Sequence, residues 1–175
     1  MNFKAVGIAS LGLFLLAAEG PAMAAGGTAV AELKLANGTD IGTVTLTEVA
    51  AGVLLKIDLK GLPPGPHGFH VHEAGKCEGD FSSAGQIYNP LGAKHGFVND
   101  EGPMAGDLAN IVAGPDGTAR AEMMSTYLHL NMDTDDTLFG ANGTAIVVYE
   151  KADDYQTEPE GGSDKRIACG VIKKK

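Results

Sequence analysis

The sequence predicts an all-β domain, an antiparallel sandwich or barrel. Short runs of alternating apolar and polar residues recur along the chain, as in strands with one buried face. Turn signals separate them: Asn37-Gly38, Ala51-Gly52, Pro63-Pro64-Gly65, Pro115-Asp116-Gly117 and Asn142-Gly143. Glycine, 25 of 175 residues, is about twice as frequent as average, and few stretches have helical apolar spacing.

Residues 1–24 read as an export signal. Met1 to Lys4 carries a positive charge, Ala5 to Ala18 is an uncharged, largely apolar run, and Ala22-Met23-Ala24 has the small-x-small pattern of a cleavage site. Cleavage is expected after Ala24. The run is short for a membrane span, and no cysteine near it offers a lipid anchor. A soluble, exported protein is expected, with residues 25–175 forming a single domain.

Eight strands are expected in that domain: Ala29 to Leu35, Ile41 to Val49, Val53 to Leu59, Phe69 to His72, Asp107 to Val112, Thr118 to Met124, Ala145 to Tyr149 and Ile167 to Ile172. Two connections are long, Glu73 to Gly106 and Glu150 to Lys165. Long connections in a compact domain are usually functional loops or disordered ones.

The net charge of -9 is unchanged by loss of the signal, because Lys4 and Glu19 cancel. Such acidity argues against nucleic acid and anionic membranes as partners. Lys173-Lys174-Lys175 forms a short basic tail. Two cysteines, Cys77 and Cys169, in an exported chain favour a disulfide, worth roughly 4 kcal/mol for so long a loop. The competing reading, two thiol ligands, lacks a CxxC or CxH pattern to support it.

The chemistry begins at Gly68-Phe69-His70-Val71-His72-Glu73. Strand side chains alternate faces, so His70 and His72 point the same way and can reach one metal ion. Around this segment stand Ser83-Ala84-Gly85, Tyr88-Asn89-Pro90, Lys94-His95-Gly96, Gly106-Asp107-Leu108, Val147-Val148, Glu150 to Asp154 and Arg166 to Ile172. Together these motifs resemble the copper-zinc superoxide dismutases of the bacterial periplasmic type, from the first strand to the last. The resemblance implies an eight-stranded antiparallel Greek-key flattened barrel with two long functional loops. It also implies a copper held by four histidines, a zinc held by three histidines and an aspartate, one histidine bridging both metals, and an arginine that attracts superoxide.

Carried over position by position, the resemblance is uneven. His70 and His72 match copper ligands. Ile87 falls where the bridging histidine belongs. His95 matches a zinc histidine, Met104 replaces the next, and Asp107 matches the zinc aspartate. Tyr149 stands at the last copper histidine, and Arg166 matches the channel arginine. Four of the seven ligand positions remain.

These substitutions have chemical consequences. Ile87 has no lone pair. Tyr149 must lose a proton of pKa near 10 to bind as phenolate, and a phenolate favours the oxidised metal, against a balanced redox cycle. Its plainer role is a core-edge tyrosine with a hydrogen-bonded hydroxyl. Met104 is a soft thioether, poorly suited to zinc and more often an apolar gap-filler. A single weak site from His70, His72 and an inward-swung His95 is the remaining rescue. His67 braces a loop by hydrogen bonds in the family, and His129 reads as a surface or strand-edge residue. Arg166 has a plainer reading as well, as the ion-pair partner of Asp153, Asp154 or Asp164.

The leading expectation is therefore an exported superoxide dismutase-like protein with incomplete sites. It would have weak or absent dismutase activity and bind copper or zinc weakly, partially or not at all. The alternatives are a working dismutase of unusual metal content, with superoxide as substrate, and a metal-free interaction scaffold. The sequence does not specify an oligomeric state.

Overall fold

The computed structural model describes residues 1, 27–132, 134 and 136–175. The expected signal and its cleavage point lie almost wholly outside them. Among the described residues no helix is long and apolar enough to cross a membrane.

Nine strands are present among the described residues: β1 (Thr28–Leu35), β2 (Asp40–Val49), β3 (Gly52–Leu59), β4 (Gly65–His67), β5 (Phe69–His72), β6 (Ile111–Ala113), β7 (Ala119–Ser125), β8 (Ala145–Tyr149) and β9 (Arg166–Lys174). Seven form one antiparallel sheet in the order β5-β8-β9-β1-β2-β3-β7, and β4 pairs with β6. β4 and β5 are separated by Gly68 alone, so one extended stretch passes from β6 to β8 as partner. The Gly114–Thr118 turn then carries β6 into β7, at the other end of the main sheet. Curled in this way, the sheet makes the expected all-β Greek-key barrel.

Two details differ from the sequence reading. The Pro63-Pro64-Gly65 turn leads directly into a strand, because Gly65 to His67 has β6 as partner. The strand expected over Asp107 to Val112 is reduced to Ile111–Ala113. Asp107 instead forms an isolated bridge with His70, and its carboxylate caps loop amides.

The alternation expected of β1 to β3 places Ala31, Leu33, Val44, Leu46, Leu55 and Ile57 in the barrel core. β5 and β8 are buried on both faces, the signature of strands covered on each side. Their register pairs Phe69 with Val148, His70 with Val147, Val71 with Ile146 and His72 with Ala145. Phe69, Val71, Ile146 and Val148 enter the core. By the two-residue period, His70, His72, Val147 and Tyr149 take the opposite face, where Val147 and Tyr149 pack with Phe81 and Cys169. The two long loops cover this face. Cys77 and Cys169 are joined, with Cα atoms 5.6 Å apart, within the usual range for a bridge. The disulfide fastens the first loop to β9.

Candidate metal centre

His70 and His72 are both fully buried on that face. His72 donates from Nδ1 to the Gly85 carbonyl at 3.0 Å. A carbonyl can only accept, so the neutral ring keeps its free lone pair on Nε2. The Tyr149 hydroxyl lies 3.1 Å from that nitrogen. Tyr149 is itself fully buried. A register shift between Val148 and Tyr149 sets its ring edge-on to His70, with centroids 5.5 Å apart. Gly68 makes room: a Cβ there would meet Ser163 Cβ at 3.0 Å and Tyr149 Cβ at 3.3 Å. Burial holds the phenol proton more firmly than usual, and the nearby Glu160 charge adds to this. The tyrosine therefore presents a hydroxyl.

Ile87 forms an isolated bridge with His72 and is 2% exposed, so hydrocarbon fills the space beside the imidazole. Gly106 lets this loop approach β5 closely. A Cβ there would lie 2.3 Å from the Val71 carbonyl oxygen, which accepts from Tyr88 N–H.

The other half of the centre is a closed polar network. His95 Nδ1 is 2.8 Å from Asp107 Oδ1 and Nε2 is 3.1 Å from Asp153 Oδ1. Asp107 Oδ2 also accepts from the Gly96 and Met104 amides, at 2.8 and 2.9 Å. Met104 thus contributes its backbone here. Burial lowers the affinity of His95 for a proton, but the hydrogen bonds and charges of Asp107 and Asp153 outweigh it and raise the pKa to about 10. At neutral pH an imidazolium bridges two carboxylates. Asp153 is correspondingly held below the carboxylate range: burial opposes this, and the His95 and Tyr155 N–H bonds prevail.

His70 stands between these halves. Its Nδ1 is 3.8 Å from Asp107 Oδ1 and its Nε2 3.4 Å from Asp153 Oδ2. Neither nitrogen makes a hydrogen bond among the described residues. Burial dominates and lowers its pKa to about 4 against the pull of Asp153 and Asp107. For His72 burial and then the Arg166 charge lower it to about 3.

Arg166 donates from Nη1 to the Phe81 carbonyl and from Nη2 to the Gly85 carbonyl, each at 2.9 Å. Its ionic partner is Glu160, at 2.5 Å, rather than the Asp153, Asp154 or Asp164 expected from the sequence. Asp153 faces His95, and Asp164 pairs with Lys151. His67 spans the Tyr149 and Pro63 carbonyls at 2.8 and 2.7 Å, the loop brace expected of it. His129 is one-third exposed, between Glu48 and Asp136, and bridges Thr137.

The sequence reading missed two acids. Asp153 joins His95 to the His70 side, and Glu160 covers Arg166. Both lie in the Glu150–Lys165 loop, where no periodicity separates inward from outward residues.

Copper and zinc are the metals this fold suggests, and the donors as placed do not fit them. Two ligands of one zinc lie roughly 3.3 Å apart in a tetrahedron of 2.0–2.1 Å bonds, whereas His95 and Asp107 are in direct hydrogen-bond contact. Tyr149 covers the free lone pair of His72. Among the described residues no group of three or more His, Cys, Asp or Glu side chains is arranged to hold a metal ion.

A family model described as copper/zinc superoxide dismutase matches residues 41–172. The chain is 45% identical over 149 residues to a Cu-Zn superoxide dismutase of Caulobacter vibrioides, covering 83% of this chain and 86% of that one. It is 43% identical over 145 residues to Cu-Zn superoxide dismutase 2 of Aquifex aeolicus, covering 82% and 85%. A crystal structure of a SOD-like protein from Bacillus subtilis superposes with a TM-score of 0.78 at 36% identity, covering 81% of this chain and 96% of that chain.

Proposed function

This chain belongs to the copper/zinc superoxide dismutase family, and on that premise we propose that it is an exported, superoxide dismutase-like protein, residues 25–175 forming one periplasmic domain, that does not work as a copper-cycling dismutase. One observation carries the reading: the Tyr149 hydroxyl lies against Nε2 of His72 while Ile87 fills the neighbouring space. A cupric ion prefers a tetragonal set of nitrogen or oxygen donors. Here the copper side offers one unpartnered nitrogen acceptor, on His70, and a second only if Tyr149 withdraws.

The zinc side supports the same reading. A proton on His95 already compensates Asp107 and Asp153, so a divalent cation must displace that proton and break two buried hydrogen bonds. The unpartnered His70 favours residual binding of copper or zinc, weak and at a single site. A working dismutase is the second reading, favoured by the relatives that bear that name. Fold membership alone does not decide between them.

The test is to load the mature protein with copper and zinc, dialyse it, measure both metals by elemental analysis and assay superoxide removal. Substoichiometric metal with no fast dismutation is expected. One copper per chain with fast dismutation contradicts the proposal, and no retained metal at all favours the interaction scaffold.

A further inference from the structure

The guanidinium of Arg166 has five N–H donors. Both protons of Nη2 are taken, one by the Gly85 carbonyl and one by Glu160 Oε1. Nη1 donates to the Phe81 carbonyl. The group also stands over the Tyr149 ring, with Cζ 5.8 Å from its centroid. Glu160 is the carboxylate paired with the guanidinium. The Arg166 side chain is 14% exposed and that of Glu160 24%, so solvent screens the pair much less than a surface ion pair.

The chain holds Glu160 there by construction. Gly161 N–H donates to the Thr157 carbonyl at 2.7 Å, Asp154 N–H to the Gly161 carbonyl at 3.0 Å, and the Ser163 hydroxyl to the Glu160 carbonyl. Gly161 adopts φ +65° and packs on the Asp153–His95 contact: a Cβ there would lie 1.7 Å from Asp153 Oδ1 and 3.0 Å from His95 Nε2. One tight turn thus seats Asp153 against the histidines and Glu160 against the arginine.

We propose that Glu160 is a selectivity residue that closes this centre to small anions, by occupying the guanidinium surface that would otherwise draw a monovalent anion of the size of superoxide towards Tyr149 and His72. An approaching anion meets a neutral pair bordered by carboxylate instead of an uncompensated cation, and like charge at such a contact is strongly unfavourable. The inference rests on the reading of the protein as a non-dismutase, because an anion-consuming enzyme would need this surface free.

Azide, a small linear monovalent anion, is a suitable probe. Its infrared stretch separates azide on a guanidinium from azide on a metal, so a copper-containing centre, which would overturn the functional reading, is seen separately. Titration of the mature wild-type chain is compared with Glu160→Gln, which keeps the shape and loses the charge, and with Glu160→Asp, whose carboxylate is one methylene too short to reach. Both variants are expected to bind azide at least about tenfold more tightly than wild type, with the guanidinium signature, and Glu160→Gln combined with Arg166→Met is expected to lose that binding. Equal azide affinity in wild type and in either folded variant, or gained binding that survives Arg166→Met, overturns the proposal.

Discussion

The Tyr149 hydroxyl lies 3.1 Å from Nε2 of His72, and the opposite ring nitrogen donates to the Gly85 carbonyl. A phenol thereby satisfies, from within the protein, a lone pair that would otherwise face a metal. Removing the hydroxyl should leave a buried acceptor unpaired. Tyr149→Phe is predicted to destabilise the fold by about 1–3 kcal/mol, measured by denaturant unfolding. An unchanged midpoint would mean that the contact contributes nothing.

Replacing the same residue with a donor should act on metal rather than on stability alone. Tyr149→His adds a third imidazole near His70 and His72, and Ile87→His with Met104→His adds the remaining nitrogens. Copper affinity is predicted to rise stepwise along this series by calorimetric titration. A triple variant with no gain would show that the loops, as well as the three side chains, hold the centre closed.

Asp153 is predicted to be as important as either histidine it faces. It accepts from His95 and the Tyr155 amide, and breaking a buried charged network by removing one partner typically costs about 3–5 kcal/mol. Asp153→Asn should approach that loss, while Asp154→Asn, in an exposed turn, should not. Equal effects would contradict the placement of Asp153.

The histidines set opposite pH flanks. His70 and His72 have folded pKa values of about 4 and about 3 against an ordinary 6.5. Above pH 6.5 they are neutral in both states and cost nothing. As pH falls below 6.5 the unfolded chain takes up protons that the folded chain refuses, so stability declines towards pH 4 and beyond. His95, raised to about 10, contributes fully below 6.5 and loses its contribution as pH rises through 10. Denaturant midpoints of chelator-treated protein should peak near pH 6.5 and fall on both sides. A flat profile from pH 4 to 10 would contradict the buried charge states.

The sequence showed much of this arrangement. Period-two alternation identified the long strands because each buries one face, and the His70-Val71-His72 spacing placed both rings on one side of β5. Cys77 and Cys169 were legible as a pair. Other features depend on contacts between distant segments. β4 follows two prolines and is a strand only because β6 lies alongside. Asp107 caps the Gly96 and Met104 amides in place of continuing a strand. Asp153 and Glu160 sit among six acids from Glu150 to Lys165, and nothing local distinguishes the two that turn inward.

The central claim is that the polar groups of this centre are occupied by one another. Long-range proton–nitrogen NMR of the imidazole rings, recorded at neutral pH on the protein as purified, tests it most directly. The prediction is a doubly protonated His95 and a neutral His72 protonated on Nδ1 alone. A singly protonated His95 together with the nitrogen shifts of metal-bound imidazole on His70 and His72 would contradict it.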